Sequence, residues 1–463
     1  MGSANLDLLF EKLRASSDNI AITRGGQQYT YTWLLEAVDS WQHWLSGHGV
    51  QAGNVVLLRG DYSPNTIAMF LALAKMEAII VPYAQHSPQK HKHFLKVSQA
   101  EYEIEVQPSD HVKLHKRKER ADHPLYRQLR EGRHPGLVLF SSGTTGESKG
   151  LVHDLDRLLL KSTRIQSRHL KILAFLIFDH MGGIDTLLYS LASAGTLVVP
   201  EGHRPDDILR TAAENAVEVL PTSPTFLALA LLSGAIVRHD LRSLKKITYG
   251  AEPMPEIILK RLHQLLPYVK LTQTYGLTEV GVLRSHSKAS DSLWMEIGGE
   301  EYQTRVVDGI LQVYSPCMML GCLNSPSEFT DDGWFITGDL VQQEGSQIRI
   351  IGRQSDVINV GGEKVMPGEV ENVILELREI LSAEVYGEPH PLTGNMVCAI
   401  IILADQEKKE GIIDRVRKHC LKQLAKYQVP VKISISYSDP YDARFKKARS
   451  ANGGSAATQY KAS

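Results

Sequence analysis

The chain has only four cysteines in 463 residues, Cys317, Cys322, Cys398 and Cys420. None forms a CxxC pair and none has a histidine pair close by. That argues against a zinc site or a disulfide framework, and free buried thiols are expected. An excess of one charge is also missing. Lys and Arg total 51 against 52 Asp and Glu, a net charge of −1, so bulk charge offers no attraction to nucleic acid or to a membrane surface. Long apolar runs are absent too. The longest clean one, 172–178, falls far short of the roughly 20 residues that cross a bilayer. The first residues lack a basic patch followed by an apolar stretch, so no signal peptide is expected and the location expected is cytoplasmic. No internal repeat is visible.

What is present suits a large globular protein: 43% hydrophobic residues and 36 glycines. A single core stops growing at roughly 250–300 residues, so at least two domains are expected. Short apolar runs at 55–59, 78–82, 137–140, 172–178, 196–200, 217–220 and 246–249 read as strands. Helical stretches such as 66–76 and 223–232 lie between them. Such alternation predicts parallel sheets covered by helices. Beyond about residue 300 the texture becomes one of short strands and turns, at 303–307, 309–315, 334–337 and 347–351. Then come a helix at 367–377, strands at 383–387 and 396–402, and a helix at 410–424. The fold class predicted is α/β: a large N-terminal domain of parallel-type sheets with a β-rich subdomain, and a small α+β C-terminal domain. The divisions are 1–352, 353–449 and a small, polar, Gly-rich tail at 450–463, expected to be disordered. The basic run 111–120 (HVKLHKRKER) reads as an exposed loop or helix face.

The sharpest feature is a strand, 136–140, running into Ser141, Ser142, Gly143, Thr144, Thr145, Gly146, Glu147, Ser148, Lys149 and Gly150. Glycines let backbone N–H groups turn toward an anion, and hydroxyls with a lysine add donors. The composition suits a triphosphate, although the glycine spacing is not that of a GxxxxGK[ST] loop. The bland alternative is a flexible Gly/Ser/Thr turn. Three later segments go with it: Thr274-Tyr275-Gly276-Leu277-Thr278-Glu279, Thr337-Gly338-Asp339, and Gly352-Arg353 followed by Val360-Gly361-Gly362-Glu363-Lys364.

In this order the four segments resemble the adenylate-forming superfamily of acyl-CoA synthetases, nonribosomal-peptide adenylation domains and firefly luciferase, and look most like standalone acyl- and aryl-CoA ligases. The resemblance runs from about Phe10 to Arg449. It implies that a carboxylate attacks the α-phosphate of ATP, expels pyrophosphate, and is then passed as acyl-adenylate to a thiol. In that reading Ser141 to Lys149 hold the β- and γ-phosphates. Glu279, with Thr145, is a ligand of Mg²⁺, and Thr278 donates to the α-phosphate. Tyr275 lies against adenine and Gly250-Ala251-Glu252 along its edge. Asp339 accepts from the ribose hydroxyls and Arg353 adds a donor there. A closing lysine is implied in the stretch 440–449. Counting from Pro440 puts it at Lys446, with Phe445 at the family's usual glycine and Lys447 as the neighbouring alternative. The small domain is implied to be mobile, turning about Ser355 to bring Gly361 and Gly362 to the site for a pantetheine arm.

The acid itself is less legible. Phe178-Asp179-His180 matches the place where acyl- and aryl-CoA synthetases carry FHxxG. That implies His180 beside the carboxylate and the thiol tunnel, with Asp179 and Gly250 next to it. Amino-acid adenylation domains carry an FD pair there, so Asp179 leaves an amino-acid substrate as the alternative. An aryl or medium-chain acid is expected, with CoA or a separate phosphopantetheine carrier protein as acceptor. The chain is expected to be a monomer or homodimer.

Overall fold

The computed structural model describes residues 3–436, apart from 85–87, 108, 110, 143–146, 300–301 and 405–409. Gly143, Thr144, Thr145, Gly146, Lys446, Lys447 and the tail 450–463 therefore lie outside the described residues.

Two seven-stranded sheets make the large part. In the first, Lys270–Gln273, Lys246–Tyr249, Val219–Thr222, Lys171–Leu173, Thr196–Val199 and Ile20–Arg24 run parallel in that order, and Gln27–Thr30 closes the edge antiparallel. In the second, Ile79–Tyr83, Val55–Arg59 and Tyr102–Val106 form the parallel centre. Gly136–Ser142 joins it parallel and hairpins back through Ser148–Asp154. The facing sides of both sheets share one buried cluster, which holds Val56, Ile80 and Leu137 of the second sheet with Ile22 and Leu197 of the first. The helices Pro64–Lys75 and Met181–Ala192 run within it. Helix Pro64–Lys75 is buried on nearly every side, as its unbroken apolar sequence requires. It begins at Pro64 because the Ser63 hydroxyl accepts the Thr66 N–H and proline suits a first helical position. A reading from apolar periodicity alone starts it two residues late.

A six-stranded antiparallel sheet follows, with Gln347–Arg353 and Phe335–Glu344 at its centre. Its last strand ends at Arg353. The chain then turns through Gln354–Asp356 into a five-stranded sheet covered by Pro367–Leu375 and Ile412–Gln423, with its own core around Val370, Ile401 and Val416.

Two elements differ from expectation. The apolar run 172–178 is a strand only over Lys171–Leu173. Beyond it, Ala174 and Phe178 are buried, Phe178 fully so against Tyr62 and Phe70, while 175–177 are half-buried. The basic run 111–120 is neither loop nor helix at its centre. Val112–Lys116 is an edge strand antiparallel to Tyr102–Val106. Charged side chains on an edge strand discourage pairing with another chain. No described helix is long and apolar enough to cross a membrane.

Candidate active site

Three motif segments meet at one carboxylate. Asp339 and Arg353 are cross-strand partners in the antiparallel pair Phe335–Glu344 and Gln347–Arg353. The Arg353 Nε lies 3.2 Å from Asp339 Oδ1, and the Tyr275 hydroxyl donates to Asp339 Oδ2 at 2.7 Å. The Thr337 hydroxyl accepts the Asp339 N–H at 3.0 Å and donates to the Leu311 carbonyl. Gly338 between them takes φ +71°, a conformation glycine adopts without strain. TGD is thus an irregularity inside a strand, which tips the aspartate where a flat strand would not. Burial raises the Asp339 pKa, while Arg353 and the Tyr275 hydroxyl oppose the rise. Tyr275 is itself buried, in the cluster that holds Leu151, Leu283 and Val313.

Glu279 follows one turn later and is half-buried. Burial raises its pKa; Arg353 and Lys149 act against that and Glu328 with it. Its backbone carbonyl accepts from Met319 N–H, and the next N–H, of Leu320, donates to Val152. The turn carrying Thr278 and Glu279 is thereby tied to the strand that carries Lys149.

The hydroxyl-rich segment is a hairpin. Ser141 pairs with Lys149, and Ser142 with Ser148, across strands Gly136–Ser142 and Ser148–Asp154. Its base is clamped from outside. The Asn324 amide donates to the Ser148 carbonyl at 3.0 Å and accepts the Gly150 N–H at 3.0 Å. Lys149 Nζ stands 3.7 Å from Glu328. Neither Asn324 nor Glu328 is signalled by the sequence, because each acts across more than 170 residues.

His153, on the same strand, is a further residue that motif reading passes over. It is fully buried, and neither ring nitrogen has a hydrogen-bond partner of good geometry among the described residues. Burial lowers its pKa to about 4, and the Thr278 backbone carbonyl acts in the opposite direction. A neutral imidazole therefore lies under the Thr278 turn.

On the acid side, Asp179 is buried and its Oδ2 accepts the Ala84 N–H at 2.9 Å. Asp179 Oδ1 lies 3.6 Å from Nε2 of the part-exposed His180, which stands at the N-terminus of helix Met181–Ala192. Two glycines on this side are packed against backbone. A Cβ on Gly183 would meet the Ile177 carbonyl oxygen at 2.2 Å, and one on Gly250 would meet the Thr274 carbonyl oxygen at 2.6 Å. The next residue, Ala251, is exposed and takes φ +71°, a strained conformation of the kind that clusters at functional loops. Glu252 accepts from the Thr225 hydroxyl at 2.7 Å, which fixes this loop to helix Pro224–Leu232. Ser355 is exposed in the turn between the sheets. Gly361 and Gly362 form the two-residue turn of the hairpin Ile358–Val360 to Glu363–Val365, both with positive φ, and bond to Thr393 and Asn359 within the small domain.

Residues 9–299 match the family of AMP-binding enzymes, and 369–446 match the AMP-binding enzyme C-terminal domain. The chain belongs to the AMP-binding enzymes. Among curated relatives, "Triostin synthetase I" of Streptomyces triostinicus is 26% identical over 92% of this chain and 89% of its own length. "Indoleacetate--CoA ligase" of Aromatoleum aromaticum is 26% identical over 65% of this chain and 63% of its own. The matched stretch is thus under two thirds of that relative. Among solved structures, the anthranilate CoA ligase AuaEII in complex with anthranoyl-AMP superposes with a TM-score of 0.81 at 19% identity, covering 96% of this chain and 97% of the other. The fold is that of these AMP-binding enzymes, a large N-terminal part and a small C-terminal one.

Proposed function

We propose that this AMP-binding enzyme is an ATP-dependent acid–thiol ligase. It activates a carboxylic acid, aryl or medium-chain, as acyl-AMP with release of pyrophosphate, and then transfers the acyl group to a thiol. The observation that carries this is the meeting of Tyr275, Asp339 and Arg353. A buried carboxylate flanked by an aromatic ring and a guanidinium is suited to a nucleoside: the carboxylate takes ribose hydroxyls and the ring takes the base. Ser141, Ser142, Gly143, Thr144, Thr145, Gly146 and Lys149 supply donors for the β- and γ-phosphates. Thr278 donates to the α-phosphate, and Gly250, Ala251 and Glu252 border the adenine.

Glu279 suits Mg²⁺. Mg²⁺ asks for one or two carboxylates and takes its remaining ligands from phosphate oxygens and water. A carboxyl whose pKa burial has raised gains from a cation beside it. Glu279, with Thr145, would hold the ion, which would neutralise phosphate charge. Lys446 supplies a positioned cation between carboxylate and α-phosphate, where negative charge builds as the acyl-adenylate forms. His180 stands beside the acid, and Gly361 and Gly362 give the incoming thiol arm room after the small domain turns about Ser355. The acceptor is CoA or a separate carrier-protein phosphopantetheine, and the setting is cytoplasmic, which suits a chain whose cysteines are free.

The Asp179 carboxylate is engaged with Ala84 N–H. That favours a simple acid over an amino acid, whose ammonium group would need it. The test is acid-dependent exchange of labelled pyrophosphate into ATP. Lys446→Ala is expected to lose the exchange yet still transfer preformed acyl-adenylate to thiol. Loss confined to Lys447→Ala would move the role one residue along.

A further inference from the structure

Strands Val219–Thr222, Lys246–Tyr249 and Lys270–Gln273 are neighbours in the first sheet and run parallel. Each ends on a polar residue, and the three ends are in register: Thr222 pairs with Tyr249, and Tyr249 with Gln273. Residues in register on adjacent strands present their side chains to the same face. Two positions earlier that row is Leu220, Ile247 and Leu271, all in one apolar cluster. The face therefore changes from apolar to polar only at its carboxyl ends.

All three side chains are at least nine-tenths buried: Thr222 is 5% exposed, Tyr249 1% and Gln273 8%. The Thr222 Oγ1, the Tyr249 hydroxyl and the Gln273 Oε1 have no hydrogen-bond partner among the described residues. The backbone around them is satisfied. The Tyr249 carbonyl accepts from Thr274 N–H at 2.8 Å, and Gln273 N–H donates to the Ser287 hydroxyl at 2.8 Å. Only the side chains are left waiting. Each buried polar atom without a partner costs about 1–3 kcal/mol, and three at the ends of adjacent strands are not a packing accident of one residue. The chain continues from this row into helix Pro224–Leu232, the loop Gly250-Ala251-Glu252 and the turn with Tyr275, Thr278 and Glu279. It is at the carboxyl ends of parallel strands that open α/β sheets bind ligands.

We infer that this row reads the acid: the substrate carries a hydroxyl or amino group that hydrogen-bonds to Tyr249, Thr222 and Gln273. The inference rests on the acid-activation reading above. The Gln273 carbonyl oxygen can only accept, so the group must donate. Tyr249 and Thr222 can donate or accept. A hydroxyl answers all three, an amino group answers Gln273 and either hydroxyl, and a chloro or methyl substituent answers none. A site built to hydrogen-bond one group rejects the isostere without it more strongly than an apolar pocket rejects a small change in size.

The experiment is acid-dependent ATP–pyrophosphate exchange of the full chain with benzoate and with its ring-isomeric hydroxy, amino and chloro derivatives. The best hydroxy or amino acid is expected to exceed its chloro isostere by at least about tenfold in kcat/KM. Tyr249→Phe is expected to reduce that ratio about tenfold, and Thr222→Val to reduce it as well. Without ligand, Tyr249→Phe is expected to melt no lower than the parent, because it removes a hydroxyl that has no partner. A parent enzyme that prefers benzoate or the chloro acids, or a ratio unmoved by both substitutions, overturns the inference and leaves the ligase reading standing. No exchange with any of these acids overturns the inference alone, and exchange that proceeds equally without an added acid overturns both.

Discussion

Asp339 and His153 show two ways in which burial is used at this site. Asp339 keeps a carboxylate in a buried place by setting Arg353 and the Tyr275 hydroxyl against the burial that raises its pKa. At His153 only the Thr278 backbone carbonyl opposes burial, and the pKa falls to about 4. An exposed histidine in the unfolded chain titrates near 6.5, so between these values the unfolded state binds more protons. The stability contributed by the neutral ring is thus fully present above pH 6.5 and is lost as pH falls toward 4. The loss is about 3 kcal/mol, from 1.36 kcal/mol per pKa unit. Urea unfolding at pH 7.5 and pH 4.5 should show this term in the parent and lack it in His153→Leu; equal slopes with pH would contradict it. Asp339, Arg353, Tyr275 and Glu279 were legible in the sequence because each sits in a compact motif of distinctive spacing. His153, Asn324 and Glu328 were not, because nothing local distinguishes them and their partners are distant in the chain.

Elements were legible where periodicity and packing agree. The strand expected at 246–249 is found as Lys246–Tyr249. The run 172–178 misled because only its first two residues pair in the sheet, while Phe178 is apolar for burial in the core. Glycines follow the same rule: a missing side chain leaves space in a fold only if nothing else fills it. Gly182 and Gly183 separate the two cases. Both lie in the first turn of helix Met181–Ala192. Replacing glycine by alanine in a helix favours folding by up to about 1 kcal/mol. At Gly182 the new Cβ would meet only the Leu176 side chain, at 3.4 Å. At Gly183 it would meet the Ile177 carbonyl oxygen, which no side-chain rotation can move, and overpacking costs about 1–3 kcal/mol. Gly183→Ala is therefore expected to lower the urea midpoint while Gly182→Ala holds or raises it; the reverse order would refute this packing.

At the scale of the whole molecule, the neutral net charge fits the proposed reading, in which the phosphates are met by a local loop and a few cations and no basic face is needed. The chain crosses between its last two sheets over 354–357, the stretch where sequence reading puts the hinge. Proline at an exposed position of this turn limits rotation while leaving both cores alone. Ser355→Pro is expected to retain adenylation within a few-fold and to slow thioester formation at least about tenfold, read by separate pyrophosphate-exchange and thioester assays. Equal loss in both would place the turning point elsewhere. The expectation of domain alternation rests on resemblance alone, since no pattern of apolar residues encodes a rotation.

Acid activation through acyl-AMP is tested most directly by one measurement: exchange of labelled pyrophosphate into ATP by the purified full chain with Mg²⁺, with and without a panel of carboxylic acids. Exchange that appears only when a suitable acid is added is the expected result. No exchange with any acid, or exchange that proceeds equally without one, would contradict it.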